Sequence, residues 1–76
     1  MKVFLLKQLP EPSLDEAIGF VIIADDWHEA RQTAGNNAAD EGKEVWLSRK
    51  YSTCTIIGEA NDSQNPGIVL SSFNNG

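Results

Sequence analysis

The chain has 76 residues, and its 6 basic and 11 acidic side chains give a formal net charge of -5. This length predicts a single domain (residues 1–76), and one cysteine excludes an internal disulfide and any Cys/His metal-binding pattern. The acidic balance opposes binding to duplex nucleic acid, and no apolar run is long enough to span a membrane.

The first part of the chain predicts two strands. KVFLLKQ (Lys2–Gln8) is short and apolar, and the prolines that follow it cannot join a β-ladder. IGFVIIA (Ile18–Ala24) is rich in β-branched and aromatic residues, which is typical of a strand. We expect these two strands to form a hairpin with a long connection.

A helix is predicted directly after the second strand. Asp26 as N-cap, with Glu29 three residues later, is an aspartate version of the capping box. The glycine and asparagines at 35–37 lower helix propensity, so the helix ends near Thr33–Gly35 or continues weakly to Ala39. The helix also carries an apolar stripe whose mostly small residues let it lie close to a sheet: Trp27, Ala30, Ala34 and Ala38.

The second half predicts further strands and a turn. EVWL is predicted as a short strand, and TCTIIGEA (Thr53–Ala60) and IVLSSF (Ile68–Phe73) as longer ones. The segment NDSQNPG between the last two is rich in turn residues, which predicts a hairpin. The order β-β-α-β-β predicts an α+β domain, in which one helix packs on one face of a mainly antiparallel four-stranded sheet.

Both faces of this predicted sheet are apolar. Val3 and Leu5 alternate with Phe4 and Leu6, and the second strand repeats the pattern. One helix of about three turns covers only one face. We therefore expect a second copy of the chain to cover the other face in a homodimer or a higher closed oligomer. The alternative is a monomer in which the segment 9–17 folds over the sheet.

No set of side chains predicts an enzyme. His28 lies among acidic residues in the first helical turn, without a nucleophile beside it. Cys54 has Arg49 and Lys50 close in sequence, but a lone cysteine at a strand start is typical of a small buried apolar residue. The acidic pairs lack calcium-loop spacing. We expect no catalytic residues, no metal and no cofactor.

The best candidate for a binding site is the segment from Trp46 to Tyr51. It combines two aromatic rings with Arg49 and Lys50, and such a combination suits a nucleotide-like ligand or an acidic peptide. The predicted site also includes residues outside this segment: Arg31, Thr53 and Asn74. In a dimer the ligand is expected at the subunit seam. The alternative is that Trp46 is a core anchor and the cluster is a solvated loop.

A series of short motifs runs along the chain: EAR in the helix, DEG, a W-L pair, STC, IIGEA and the terminal GIVLSSFNNG. Their order resembles that of small proteins encoded by bacteriophages and their bacterial hosts, and the resemblance covers nearly the whole chain. It implies a counter-defence role. Such a protein acts as an oligomeric sponge for cyclic or ADP-ribose-type nucleotide signals, or blocks a host protein by direct contact.

These features together predict a non-enzymatic, oligomeric binding protein of phage type that sequesters a nucleotide-like small molecule. The competing hypothesis is an acidic inhibitor or adaptor that contacts a host protein. The N-terminus lacks the basic region and long apolar stretch of a secretory signal, and the single thiol is unpaired. We therefore expect a cytoplasmic location, in the host cell if the protein is phage-encoded.

Overall fold

The computed structural model describes residues 1–9, 16–39, 41–61 and 64–74, with the backbone alone for residues 16–18 and 71–74. Its elements are β1 (Lys2–Gln8), β2 (Glu16–Ala24), α1 (Trp27–Asn36), α2 (Lys43–Leu47), β3 (Ser52–Glu59) and β4 (Gly67–Asn74). The four strands form one antiparallel sheet in the order β3-β1-β2-β4. The predicted α+β class is confirmed.

The strands β1 and β2 occupy the centre of the sheet. They pair from Lys2↔Ala24 to Lys7↔Gly19, as expected for the first two strands. On the face that the helices cover, each central strand contributes two large side chains that are at most 2% exposed: Phe4, Leu6, Phe20 and Ile22. The segment 9–17, which covers the other face in the monomer alternative, lies largely outside the described residues.

The predicted hairpin between the last two strands is wrong. β3 pairs with β1, and β4 pairs with β2, so the two strands lie at opposite edges of the sheet. The chain between them passes the end of β1, where the backbone N–H of Ala60 donates to the carbonyl of Met1 at 3.0 Å. Turn residues predict only that the chain changes direction. The apolar central strands each require a neighbour, which places β3 and β4 on opposite sides.

The predicted strand EVWL is also wrong, because these residues form the short helix α2. Gly42, with φ 87°, leads the chain into this helix. The helical turn places Trp46 in the core, where its ring meets Phe20 edge-on with centroids 4.9 Å apart. A short apolar run does not by itself distinguish a helix from a strand. Burial of the indole against α1 and the sheet is the physical reason for the helix.

The predicted start of α1 is confirmed. The side chain of Asp26 accepts a hydrogen bond from the backbone N–H of Glu29 at 2.8 Å. The helix ends at Asn36, between the two predicted limits. Gly35 lies where α2 packs on α1, since a Cβ there would be 3.1 Å from the side chain of the first residue of α2. Neither described helix is long and apolar enough to cross a membrane.

Apolar side chains remain uncovered mainly at the two edges of the sheet. On the face away from the helices, Val3, Leu5 and Val21 are partly buried. Larger exposed fractions, between 54% and 61%, belong to four residues of the edge strands: Ile56, Ile57, Val69 and Leu70. Within the sheet residues that the structure describes, the uncovered apolar surface is therefore concentrated at β3 and β4.

Candidate ligand-binding groove

A groove runs along β3, beside the N-terminal end of α1. Its polar end has a volume of about 250 Å³ and is lined by Trp27, Arg31, Arg49 and Cys54. Its apolar end has a volume of about 410 Å³, shares Trp27 and Cys54, and adds further lining residues: Lys2, Phe4, Asp26, Thr55 and Ile56. We call the two ends together the β3 groove. The groove exists because the helices leave the edge strand β3 uncovered.

Arg31 forms the floor of the polar end and is only 5% exposed. Its Nη1 donates to the carbonyls of Trp46 (2.9 Å) and Ser48 (3.2 Å) and to the hydroxyl of Ser52 (2.8 Å). Its Nη2 donates to the carbonyl of Ser52 at 3.1 Å. These four bonds tie the connection between α2 and β3 to α1, so the side chain has a structural role.

All four acceptors are neutral oxygen atoms, so among the described hydrogen-bond partners of Arg31 none carries a negative charge. A buried ionised group is costly to desolvate unless an opposite charge or strong hydrogen bonds compensate it. Neutral acceptors satisfy the N–H groups without cancelling the positive charge. The polar end of the β3 groove therefore favours an anion.

Two exposed side chains form the walls of this polar end. Trp27 is the first residue of α1, is 54% exposed, and packs edge-on against His28 with ring centroids 5.7 Å apart. Arg49 is exposed in the turn before β3. An exposed indole offers a plane for stacking, and a guanidinium offers a planar set of donors for phosphate or carboxylate. The two walls thus suit different parts of one ligand.

Sequence reasoning missed Trp27 as a site residue because its spacing assigned it to the apolar stripe of the helix. The stripe is buried at Ala30 and Ala34, but Trp27 lies at the helix start, where two exposed aspartates precede it. A large aromatic ring beside the acidic residues of a helix cap is the signal that marks it as exposed. Trp27, and not Trp46, is the tryptophan that lines the groove.

Cys54 is partly buried beneath the groove and packs against the core. Burial raises the pKa of its thiol, and the positive charge of Arg31 acts in the opposite direction to a smaller extent. The thiol is consequently neutral near pH 7, and a neutral thiol is a poor nucleophile. Cys54 contributes shape and apolar surface to the groove.

The ring of Trp46, a predicted ligand-binding residue, is fully buried at 0% exposure. Its Nε1 donates to the carboxylate of Glu41, and its ring packs on Phe20. This is the arrangement of the alternative in which Trp46 is a core anchor. The indole supports the α2–β3 connection that carries Arg49.

The remaining predicted site residues lie outside the described lining of the β3 groove. Lys50 and Tyr51 are exposed, and the ammonium of Lys50 is 5.4 Å from the centroid of the Tyr51 ring. Thr53 pairs with Lys7, so strand alternation directs it away from the helices. The backbone of Asn74 lies on β4, at the opposite edge, and its side chain lies outside the described residues. Within one copy, the groove brings together Arg31 and Arg49 of the predicted set.

Within the described ranges, no group of three or more His, Cys, Asp or Glu residues is placed to hold a metal ion. The chain matches no protein-family model, no curated protein and no solved structure. The chemistry of the β3 groove is therefore the basis for a functional proposal.

Proposed function

We propose that this protein is a non-enzymatic, oligomeric binding protein that holds a nucleotide-like small molecule in the polar end of the β3 groove. One observation carries the proposal. A buried arginine with neutral hydrogen-bond partners lies under a cleft whose walls are an exposed indole and an exposed guanidinium. The net charge of -5 makes this local cationic site distinct from the rest of the molecule.

The ligand in this proposal has a planar ring and at least one anionic group. The ring stacks on Trp27, and stacking of a base on an aromatic side chain contributes about 1–3 kcal/mol. The anion takes hydrogen bonds from Arg49, whose planar donors match two phosphate oxygens, and it offsets the buried charge of Arg31. The polar end of about 250 Å³ and the adjoining apolar end of about 410 Å³ together give room for a ligand of the size of a single nucleotide unit.

Binding without turnover is the use that this groove supports. The thiol of Cys54 is held neutral by burial, and no described lining residue of the polar end is a histidine or carboxylate that could act as a base beside it. A bound nucleotide would then leave unchanged. Together with the resemblance to phage-encoded proteins, this supports sequestration of a nucleotide signal in a counter-defence role.

Titration calorimetry tests the proposal with AMP, ADP, ADP-ribose and cyclic dinucleotides as ligands. We expect at least one of them to bind with a Kd below about 100 μM, which corresponds to about 5.5 kcal/mol. Changing Trp27→Ala or Arg49→Ala should weaken this binding about tenfold or more, equivalent to about 1.4 kcal/mol. Lys50→Ala is the matched control, because Lys50 is the next cation along the chain but does not line the described groove.

Two results would contradict the ligand site. The first is that no member of the panel binds more tightly than about 100 μM. The second is that Lys50→Ala weakens binding as much as Arg49→Ala, because the binding would then depend on general positive charge in the turn and not on the groove.

A second candidate function is direct contact with a host protein through the acidic surface. It is favoured by the exposed apolar side chains of the edge strands beside a chain of charge -5. Glu44→Lys is the suitable test, because Glu44 is exposed on α2, whereas Glu41 supports the indole of Trp46. This candidate predicts that one host protein is recovered in stoichiometric amount, that Glu44→Lys abolishes recovery, and that Arg49→Ala does not.

A further inference from the structure

We infer that two copies of the chain join by antiparallel pairing of their β3 edges around a two-fold axis at Thr55, so that the two β3 grooves become one shared furrow. The ligand part of this inference rests on the proposed function. The pairing itself rests on the edge strand, its charges and its symmetry.

The first ground is that β3 is an edge strand without charged protection along most of its length. Among the described strands it pairs with β1 alone, and from Ser52 to Gly58 it carries no charged side chain and no proline. Proteins usually protect a free edge with such residues, because unpaired backbone groups recruit another strand. Ile56 and Ile57 are 55% and 54% exposed at this edge. Pairing with a second β3 strand would bury part of both isoleucine side chains and give hydrogen-bond partners to the backbone N–H and C=O groups at this edge.

The second ground is charge complementarity between the two ends of β3. Arg49 and Lys50 precede the strand, and Glu59 ends it. Antiparallel pairing places the basic end of each copy beside the acidic end of its partner, and a two-fold axis forms this contact twice. The seam is thus a region where two chains of charge -5 attract each other.

The register follows from strand alternation. Residues that face each other in an antiparallel pair lie on the same side of the sheet, so a symmetric pairing must centre on a residue. Overlap of Ser52–Glu59 with its symmetry copy is equally large for a centre at Thr55 or at Ile56, and the centre at Thr55 brings Lys50 closer to the partner's Glu59. Cys54 then faces the partner's Ile56 on the helix-bearing side.

The opposite edge is the less suitable seam. β4 (Gly67–Asn74) carries no charged residue, so its ends offer no complementary pair. Both edge strands contain one register shift, which leaves Ile57 as an extra residue in β3 and Val69 as an extra residue in β4. The shifts therefore do not distinguish the two edges, whereas the charges at the strand ends do. A seam at β4 would also leave the β3 groove open to solvent.

Pairing through β3 completes the ligand site. The helices of both copies lie on the same face of a continuous eight-stranded sheet, with β3 and the partner's β3 forming the floor of the furrow between them. The partner's Ile56 lies next to Cys54, and each copy contributes one Trp27 and one Arg49 to the walls. A furrow with two related cationic ends suits a ligand that carries two anionic groups.

Light scattering coupled to gel filtration tests the seam without any ligand. We expect the wild-type protein to be a dimer. Thr55→Lys should be a monomer, because it places two ammonium groups opposite each other at the axis. Val69→Lys is the matched control, since it places the same charge on the β4 edge, and it should remain a dimer. Circular dichroism checks that each variant is folded, and Ile57→Lys replaces Thr55→Lys if the latter does not fold.

Three outcomes would overturn the inference: a wild-type monomer at high concentration, a folded Thr55→Lys dimer, or loss of the dimer in Val69→Lys alone. Calorimetry with ADP-ribose and a cyclic dinucleotide separates this inference from the ligand site. If Thr55→Lys dissociates the dimer but the wild-type dimer binds neither probe, the β3 pairing is supported and the ligand site is rejected. If the wild-type protein is a monomer that binds a probe through Arg49, the ligand site is supported and the β3 pairing is rejected.

Discussion

At the residue scale, Arg31 links the fold to the proposed function. Its four hydrogen bonds fix the backbone on which Arg49 is carried, and its charge lies beneath the groove. The sequence indicated a cation near the helix flank, because Arg31 follows the spacing of the apolar stripe by one position. It did not indicate that the guanidinium is buried, because its acceptors come from residues 15 to 21 positions later in the chain.

Replacing Arg31→Met should lower the free energy of unfolding by about 2–4 kcal/mol. The change removes four hydrogen bonds and leaves buried carbonyls of the α2–β3 connection without their donor. Urea denaturation followed by circular dichroism measures the loss. Arg49→Ala is the control, and its exposed side chain should change stability by no more than about 0.5 kcal/mol. Equal effects of the two changes would contradict the structural role of Arg31.

The raised pKa of the Cys54 thiol predicts how the reactivity of this thiol and the stability of the folded protein change with pH. Burial raises this pKa, so the folded state holds the thiol proton more tightly than the unfolded state. The resulting stabilisation is complete below the pKa of the unfolded thiol and is lost as the pH rises through the raised folded value. Alkylation by iodoacetamide should therefore be slower in the folded protein than in urea from neutral to mildly alkaline pH. Equal rates at neutral pH would show an exposed, ionisable thiol.

At the element scale, sequence reasoning succeeded where local chemistry decides the structure. The cap of α1 depends on Asp26 and Glu29, which are three residues apart, and the spacing alone identified it. The prediction of a strand at EVWL was wrong because the conformation of this segment depends on a distant contact, the packing of Trp46 on Phe20. The last two strands were identified, but their pairing was not, since partners in a sheet are chosen by long-range burial.

The helix cap gives a prediction for α1. Asp26→Ala should destabilise the protein by about 1 kcal/mol, because the N–H of Glu29 loses its acceptor at the helix start. For a domain of this size the melting temperature should fall by about 4–8 °C. Asp25→Ala is the matched control, because it removes the same charge one position earlier without removing the cap. A fall of the same size in both variants would assign the effect to charge and not to capping.

At the scale of the whole molecule, the sequence indicated that the sheet has more apolar surface than its helices cover. Among the described residues, the structure locates the most exposed part of this surface at the edge strands. The sequence also assigned the wrong tryptophan to the predicted ligand site. Trp46 and Trp27 have similar apolar character in sequence, and only the packing of α2 determines which indole is buried.

The two tryptophans provide the most direct test of the central claim, that the β3 groove is the ligand site. In a proton–nitrogen correlation spectrum, each indole N–H gives one signal, and Trp27→Phe assigns them. Titration with a nucleotide that binds in calorimetry should shift the signal of the exposed Trp27 and leave that of the buried Trp46 in place. A shift confined to Trp46, or saturation of binding with neither signal moving, would contradict the claim.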